Sequence, residues 1–180
     1  MKFMEGWFLK MTNYADELLD ELDNIAFPEN VKAMQRNWIG RSHGAHIDFK
    51  VADSEAVIGA FTTRPDTIFG VTFVTLSPEH PLCEELVAGT EYEAGWRALS
   101  EECAKLSEFE RINMLKEKKG VPLGRFAINP LNGEEVPIYA GNFVVVSYGT
   151  GAVMAVPGHD QRDYDFAQKY GIAVKPVLCR

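Results

Sequence analysis

Two short segments carry most of the side chains that could do chemistry. The first, Pro157-Gly158-His159-Asp160-Gln161-Arg162-Asp163, joins a β-like run to a helical one. On a helix opening near Asp160, Asp163 shares a face with Phe166, Ala167 and Tyr170, while Gln161, Asp165, Gln168 and Lys169 share the other. A carboxylate on an apolar face is costly unless it is paired or hydrogen-bonded. Asp163 therefore needs a cation, a set of N–H donors, or a chemical role. It also occupies the third helical position after a cap near Asp160, where binding backbone N–H groups is an ordinary use of a carboxylate. His159 and Asp163 stand four residues apart, a spacing that can hold a metal on a helix, but no third ligand lies nearby.

The second segment is Thr62-Thr63-Arg64-Pro65-Asp66-Thr67, directly after a β-like run ending at Phe61. Pro65 suits the first position of a helical turn, which leaves Thr62 and Thr63 on the corner and Thr67 within the first turn. Three hydroxyls and one guanidinium crowd this corner. They can orient a water or a ribose and leave a methyl-lined wall, or they can simply cap a turn. A third segment, Gly149-Thr150-Gly151, invites comparison with phosphate-binding loops. However, Met154 stands where a dinucleotide fingerprint needs its third glycine, the residues that follow are β-like, and no Walker lysine is present. No hydroxyl or thiol nucleophile is paired with a base of its own, so a hydrolase built from these residues would use water as the attacking group.

The elements that must position these groups can be read from periodicity. Helices are predicted over 12–23, where Tyr14, Leu18, Leu22 and Ile25 recur at helical spacing, and over 31–38. After Gly40 the period falls to two, with strands predicted over 47–51, 56–61 and 71–76. Helices follow over 81–87 and 91–106, then a charged surface connection over 111–120. Residues 125–128 and 134–140 flank Asn132-Gly133 and read as a hairpin. Strands are predicted over 143–146 and 152–156, a helix over 160–170 stopped by Gly171, and a strand over 174–178. The sum is mixed α and β, strand-dominated, with a helical lead-in over 1–40 and a compact domain over 41–180.

Composition bounds the function. The chain has 180 residues, 46% apolar and 11% aromatic, which excludes disorder. No apolar run approaches the roughly 18 residues needed to span a bilayer, and the first residues do not form a secretory leader. A cytoplasmic protein with no membrane partner is expected. A net charge of −8 argues against coating nucleic acid by charge alone, but not against gripping one end of it. Cys83, Cys103 and Cys179 fit neither a metal framework nor a disulfide framework, so reduced thiols are expected.

Taken together, these segments resemble the editing insertion of leucyl-tRNA synthetase. The resemblance is carried by Trp7-Phe8-Leu9-Lys10, by Asn37-Trp38-Ile39-Gly40-Arg41-Ser42, by Phe61-Thr62-Thr63-Arg64-Pro65-Asp66-Thr67-Ile68-Phe69-Gly70, and by the run from Gly149 to Asp163. Isoleucyl and valyl enzymes have related insertions. The Arg-Pro-Asp-Thr-Ile-Phe-Gly continuation and the His-Asp-Gln-Arg-Asp run favour the leucyl enzyme. The signatures of the synthetic active site are absent, so amino-acid activation, with its ATP, belongs to the full-length family member. The resemblance also makes the lead-in a neighbour of the catalytic body and suggests that the insertion continues past Arg180.

What this resemblance implies is a β-barrel-like editing domain with peripheral helices. It would hydrolyse the ester between a wrong amino acid (valine, isoleucine or similar) and the terminal adenosine of leucine tRNA. Its partners are then the 3′ end of that tRNA and the rest of the synthetase in cis. Asp163 would bind the α-ammonium of the aminoacyl group. Thr67 would line the side-chain pocket and exclude leucine. Thr62, Thr63 and Arg64 would contact the terminal nucleotide or hold the attacking water. Met154, Val156, His159 and Asp160 would line the site, with Tyr148 near the adenosine and Asp160 or the ribose hydroxyl available as a base. No cofactor or metal is implied. The rival expectation is a module that binds the tRNA end with little activity of its own.

Overall fold

In the computed structural model the described residues are 6–7, 9–107, 110–111, 117–146 and 149–178. The chain divides into two units, Met1–His43 and Gly44–Arg180.

The first unit is helical. A 3-10 turn (Met11–Tyr14), helix α1 (Ala15–Asp20) and a second 3-10 turn (Glu21–Asn24) follow one another where one continuous helix over 12–23 was expected. Neither the 3-10 turn at Met11 nor α1 has a side chain capping its start, which leaves the first N–H groups without the partner that fixes a regular α-helix. Helix α2 (Glu29–Ile39) begins after Pro28 and stops at Gly40, φ 67°. Arg41 ties the unit together through Asp16 and Asp20, each at 2.9 Å, and Arg36 reaches Asp23. Of the predicted stripe only Leu22 is buried; Tyr14 and Leu18 are exposed.

The second unit is built on one six-stranded sheet. Its strands are β1 (Ala45–Val51), β2 (Val57–Thr62), β3 (Phe73–Leu76), β4 (Gly120–Ile128), β5 (Glu135–Gly141) and β6 (Ala152–Ala155), in the order β2-β1-β4-β5-β3-β6. All neighbours are antiparallel except β3 with β5. The sheet is barrel-like without closing: its two edge strands, β2 and β6, lie against each other and share no ladder. Helix exceeds strand in amount, 38% against 23%, yet the largest fully buried side chains come mainly from strands: Phe49, Ile58, Phe73, Leu76, Leu123 and Ile138. Each contributes about 1.5–3 kcal/mol through its removal from water.

Helices α3 (Pro81–Val87) and α4 (Glu93–Ala104) pack outside β4. Helix α5 (Gln161–Tyr170) seats Phe166 and Ala167 on Phe73 and Ala155. The Phe166 ring stacks on Phe73 at 5.1 Å and meets Tyr139 edge-on at 5.5 Å.

Four further expectations are corrected. Strand β4 starts at Gly120 rather than 125, because a register shift between Pro122 and Phe126 breaks its alternation. At Gly124, φ 68°, an added Cβ would lie 2.2 Å from the Tyr92 ring, so glycine is required there. Residues 143–146 form no strand: Val144 N–H turns back to the Gly141 carbonyl, and the Asn142 and Val144 carbonyls are taken by a side chain, Arg111. Residues 174–178 run without a ladder, and the N–H groups of Val177 and Leu178 donate to His159 instead. The predicted surface connection over 111–120 begins with a buried residue, Arg111, and its residues 112–116 lie outside the described ones.

Candidate active site

Helix α5 opens on Asp160, which has extended backbone, and whose Oδ1 accepts from the N–H of Arg162 at 2.7 Å and of Asp163 at 3.2 Å. This is an N-cap. Burial pushes the Asp160 carboxyl up, but these N–H groups and the nearby Arg162 outweigh it and hold Asp160 below the usual carboxylate range. Because Asp160 takes the capping role, Asp163 is released from it. One turn into the helix, on the face of Phe166 and Ala167, Asp163 is only 6% exposed. Its Oδ2 accepts from the Val156 N–H at 2.8 Å, and among the described residues it has no ion-pair partner. Burial raises its carboxyl from 3.8 to about 6; the Val156 N–H opposes this rise and the Asp160 charge adds to it.

The threonine corner follows β2. Thr62 Oγ1 accepts from the Arg64 N–H at 3.0 Å, and Thr67 Oγ1 donates to the Arg64 carbonyl at 2.8 Å. The corner therefore does cap its own turn. With its hydroxyl hydrogen committed, buried Thr67 offers its surroundings bulk rather than a donor. Arg64 is forked onto Asp66 through contacts of 2.9 to 3.3 Å, which holds the Asp66 carboxyl below its usual range. Thr63 is exposed, and its hydroxyl makes no hydrogen bond among the described residues.

Both segments face one cavity of about 550 Å³. Thr62, Thr63, Arg64 and Thr67 line one side; Met154, Val156, His159, Asp160 and Asp163 line another. Tyr148 lies outside the described residues. A shallower concavity of about 260 Å³ in the first unit holds Asp20, Arg36 and Arg41, all of them internally paired. The metal-site spacing of His159 with Asp163 is not realised. His159 precedes the helix, and its Nε2 accepts from the Val177 and Leu178 N–H groups at 3.1 and 3.2 Å. No three His, Cys, Asp or Glu side chains gather among the described residues.

The family model for the leucyl-tRNA synthetase editing domain matches residues 36–180. The chain belongs to that family. It is 52% identical over 176 residues to a leucine–tRNA ligase of Desulfotalea psychrophila, covering 97% of this chain and 21% of that protein. A leucine–tRNA ligase of Thermotoga petrophila is 51% identical over 179 residues, covering 99% and 22%. The chain thus spans about a fifth of the length of the curated relatives it matches. Among solved structures, a crystal structure of the ternary LeuRS–tRNA–LeuAMS complex of Agrobacterium radiobacter K84 agnB2 superposes with a TM-score of 0.80 at 42% identity, covering 95% of this chain and 20% of that one.

For this editing-domain member, sequence reasoning missed several groups around the cavity: Phe61, Lys118, Phe143 and Arg162, and above all Arg111. Lys118 sits 5.8 Å from the centroid of the Phe143 ring. Arg111 was hidden because a cation in a Lys-rich run reads as solvated surface; only the tertiary structure reveals that its side chain is 95% removed from water. Phe143 was hidden inside a run whose valines imitate a strand.

Proposed function

We propose that this chain deacylates leucine tRNA carrying valine, isoleucine or a similar near-cognate, with leucine excluded by shape. Residues 41–180 carry the reaction in this reading. Residues 1–40 lead in from the catalytic body of a full-length synthetase, which presents the 3′ end of the tRNA in cis, and the setting is the cytoplasm. One methylene in an apolar pocket discriminates by only about 1–3 kcal/mol, which is why a second, hydrolytic sieve is useful.

The observation that carries the reading is Asp163: a buried carboxylate with one N–H donor and, among the described residues, no ion-pair partner, on the wall of a cavity that also holds the threonine corner. The α-ammonium of an aminoacyl ester supplies the missing charge. With the ammonium held there, the ester carbonyl lies toward Thr62 and Thr63, and Thr67 limits the side chain. A water adds to the carbonyl carbon, the carbon–oxygen bond to the ribose breaks, and the ribose oxygen leaves with a proton. The products are free amino acid and uncharged tRNA. Asp160 and the neighbouring ribose hydroxyl are the groups available to move that proton. Fixing the ester and the water supplies much of the acceleration, since pre-paid orientation is worth roughly 7–11 kcal/mol at best.

The test is release of amino acid from mischarged leucine tRNA by the chain and by Asp163→Ala. Loss of one partner of a desolvated charge pair costs about 3–5 kcal/mol, so the variant should lose roughly 10²–10⁴-fold in kcat/KM while keeping its circular dichroism spectrum. Full activity in Asp163→Ala rejects the role of Asp163. Stable binding of the tRNA end without release of amino acid by the unaltered chain favours a binding module instead.

A further inference from the structure

A buried cation lies outside the ammonium site and the threonine corner. Arg111 is held by three partners: its Nε donates to the Asn142 carbonyl at 3.1 Å, its Nη2 to the Val144 carbonyl at 2.5 Å, and its Nη1 pairs with Glu79 Oε1 at 2.5 Å. Glu79 is itself fixed, since its other oxygen accepts from the hydroxyl of buried Ser77, whose N–H donates to the Gly151 carbonyl at 2.8 Å. Asn142 is stitched from its other side: its N–H and its Oδ1 pair with the carbonyl and N–H of Lys119, each at 2.9 Å.

The carbonyls that Arg111 takes belong to residues 142–146, between β5 and β6, which have no strand neighbour among the described residues. That segment supplies Phe143, Val144 and Val145 to the cavity wall. A buried guanidinium is expensive unless every donor direction is used. Its planar fork suits two carbonyls and a carboxylate in a way a lysine cannot match.

We propose that Arg111, oriented by Glu79, is a positioning residue for ester hydrolysis: it clamps the 142–145 turn into the wall that holds the substrate against the threonine corner. This rests on the deacylation reading. Arg111 touches backbone rather than reacting atoms, so its effect must run through the wall.

The test uses the 180-residue chain with Arg111→Lys and Glu79→Gln. Amide hydrogen exchange at Val144 should rise at least tenfold in Arg111→Lys, while Ile138 at the centre of β5 stays protected. The kcat/KM for near-cognate deacylation should fall on the order of 10- to 100-fold, the scale of a misplacement of about 1 Å. Glu79→Gln keeps an acceptor but loses the charge, and should show smaller changes in the same direction. Because Arg111 acts through the wall, adding Arg111→Lys to Phe143→Ala should cost less than threefold more.

Unchanged Val144 exchange in both variants overturns the proposal. So does a fully multiplicative double variant, or exchange rising equally at Val144 and Ile138 in Glu79→Gln, which would mark a merely structural pair. If Arg111→Lys does not fold, Glu79→Gln decides alone. If the unaltered chain releases no amino acid, the deacylation reading fails, and Val144 exchange still decides the clamp.

Discussion

In the deacylation reading, Asp163 is where stability and chemistry pull in opposite directions. Its folded carboxyl titrates at about 6 against an ordinary 3.8, with burial as the main cause. The folded chain therefore binds this proton more tightly than the unfolded chain does. The stability contributed by the proton is fully present below about pH 4 and is lost as pH rises through about 6. At pH 7 the ionised group costs up to about 3 kcal/mol. Asp163→Asn keeps an acceptor for the Val156 N–H and removes the charge, so urea unfolding at pH 7 should show a gain of roughly 1–3 kcal/mol that vanishes near pH 4, alongside lost deacylation. For the unaltered chain, kcat/KM should fall about tenfold per pH unit below about pH 6, because only the carboxylate receives an ammonium. Thr67 makes the complementary case for specificity. Its hydroxyl already donates to the Arg64 carbonyl, so Thr67→Ala removes bulk, and hydrolysis of leucyl-tRNA should rise about tenfold or more.

At the scale of elements, the decisive event is the junction from β6 into α5. Strand β6 runs into Val156, whose N–H meets Asp163, and Asp160 caps the helix so that its first turn aims Asp163 inward. Asp160→Ala should cost about 1 kcal/mol in urea unfolding through the lost cap, and should weaken deacylation further by loosening the Asp163 backbone. This junction could be read from the sequence because its signals are local: a β-branched run, a capping aspartate, a 3.6-residue apolar stripe and a terminal glycine. The segments over 143–146 and 174–178 misled for the opposite reason. Val144 and Val145 have the composition of a strand, but a strand needs a partner edge, and their partners are a guanidinium and a turn; Val177 and Leu178 lean on His159 in the same way. The inward-facing Asp163 was foreseeable from helix geometry, whereas Arg111 was not, since its three partners lie 31 to 33 residues away along the chain.

On the scale of the whole molecule, charge sets how nucleic acid can be held. The chain carries −8 overall, and much of its cationic equipment is already committed: Arg64 to Asp66, Lys119 to Glu102, Lys169 to Glu117 and Lys175 to Glu134. Around the cavity, Lys118 and Arg162 stand out, the latter only 3.5 Å from Asp160. In the deacylation reading proposed above, such a surface does not follow a phosphate backbone over many nucleotides; it would admit one end and read the aminoacyl group. A protein neutralising 6–10 phosphates loses about 10³–10⁵ in affinity between 50 and 200 mM salt. With one or two phosphates engaged, kcat/KM for mischarged leucine tRNA should fall less than about tenfold over that range. A loss of a hundredfold or more, measured on the isolated chain, would reveal an extended phosphate-binding face, and recognition would then reach beyond the terminal nucleotide.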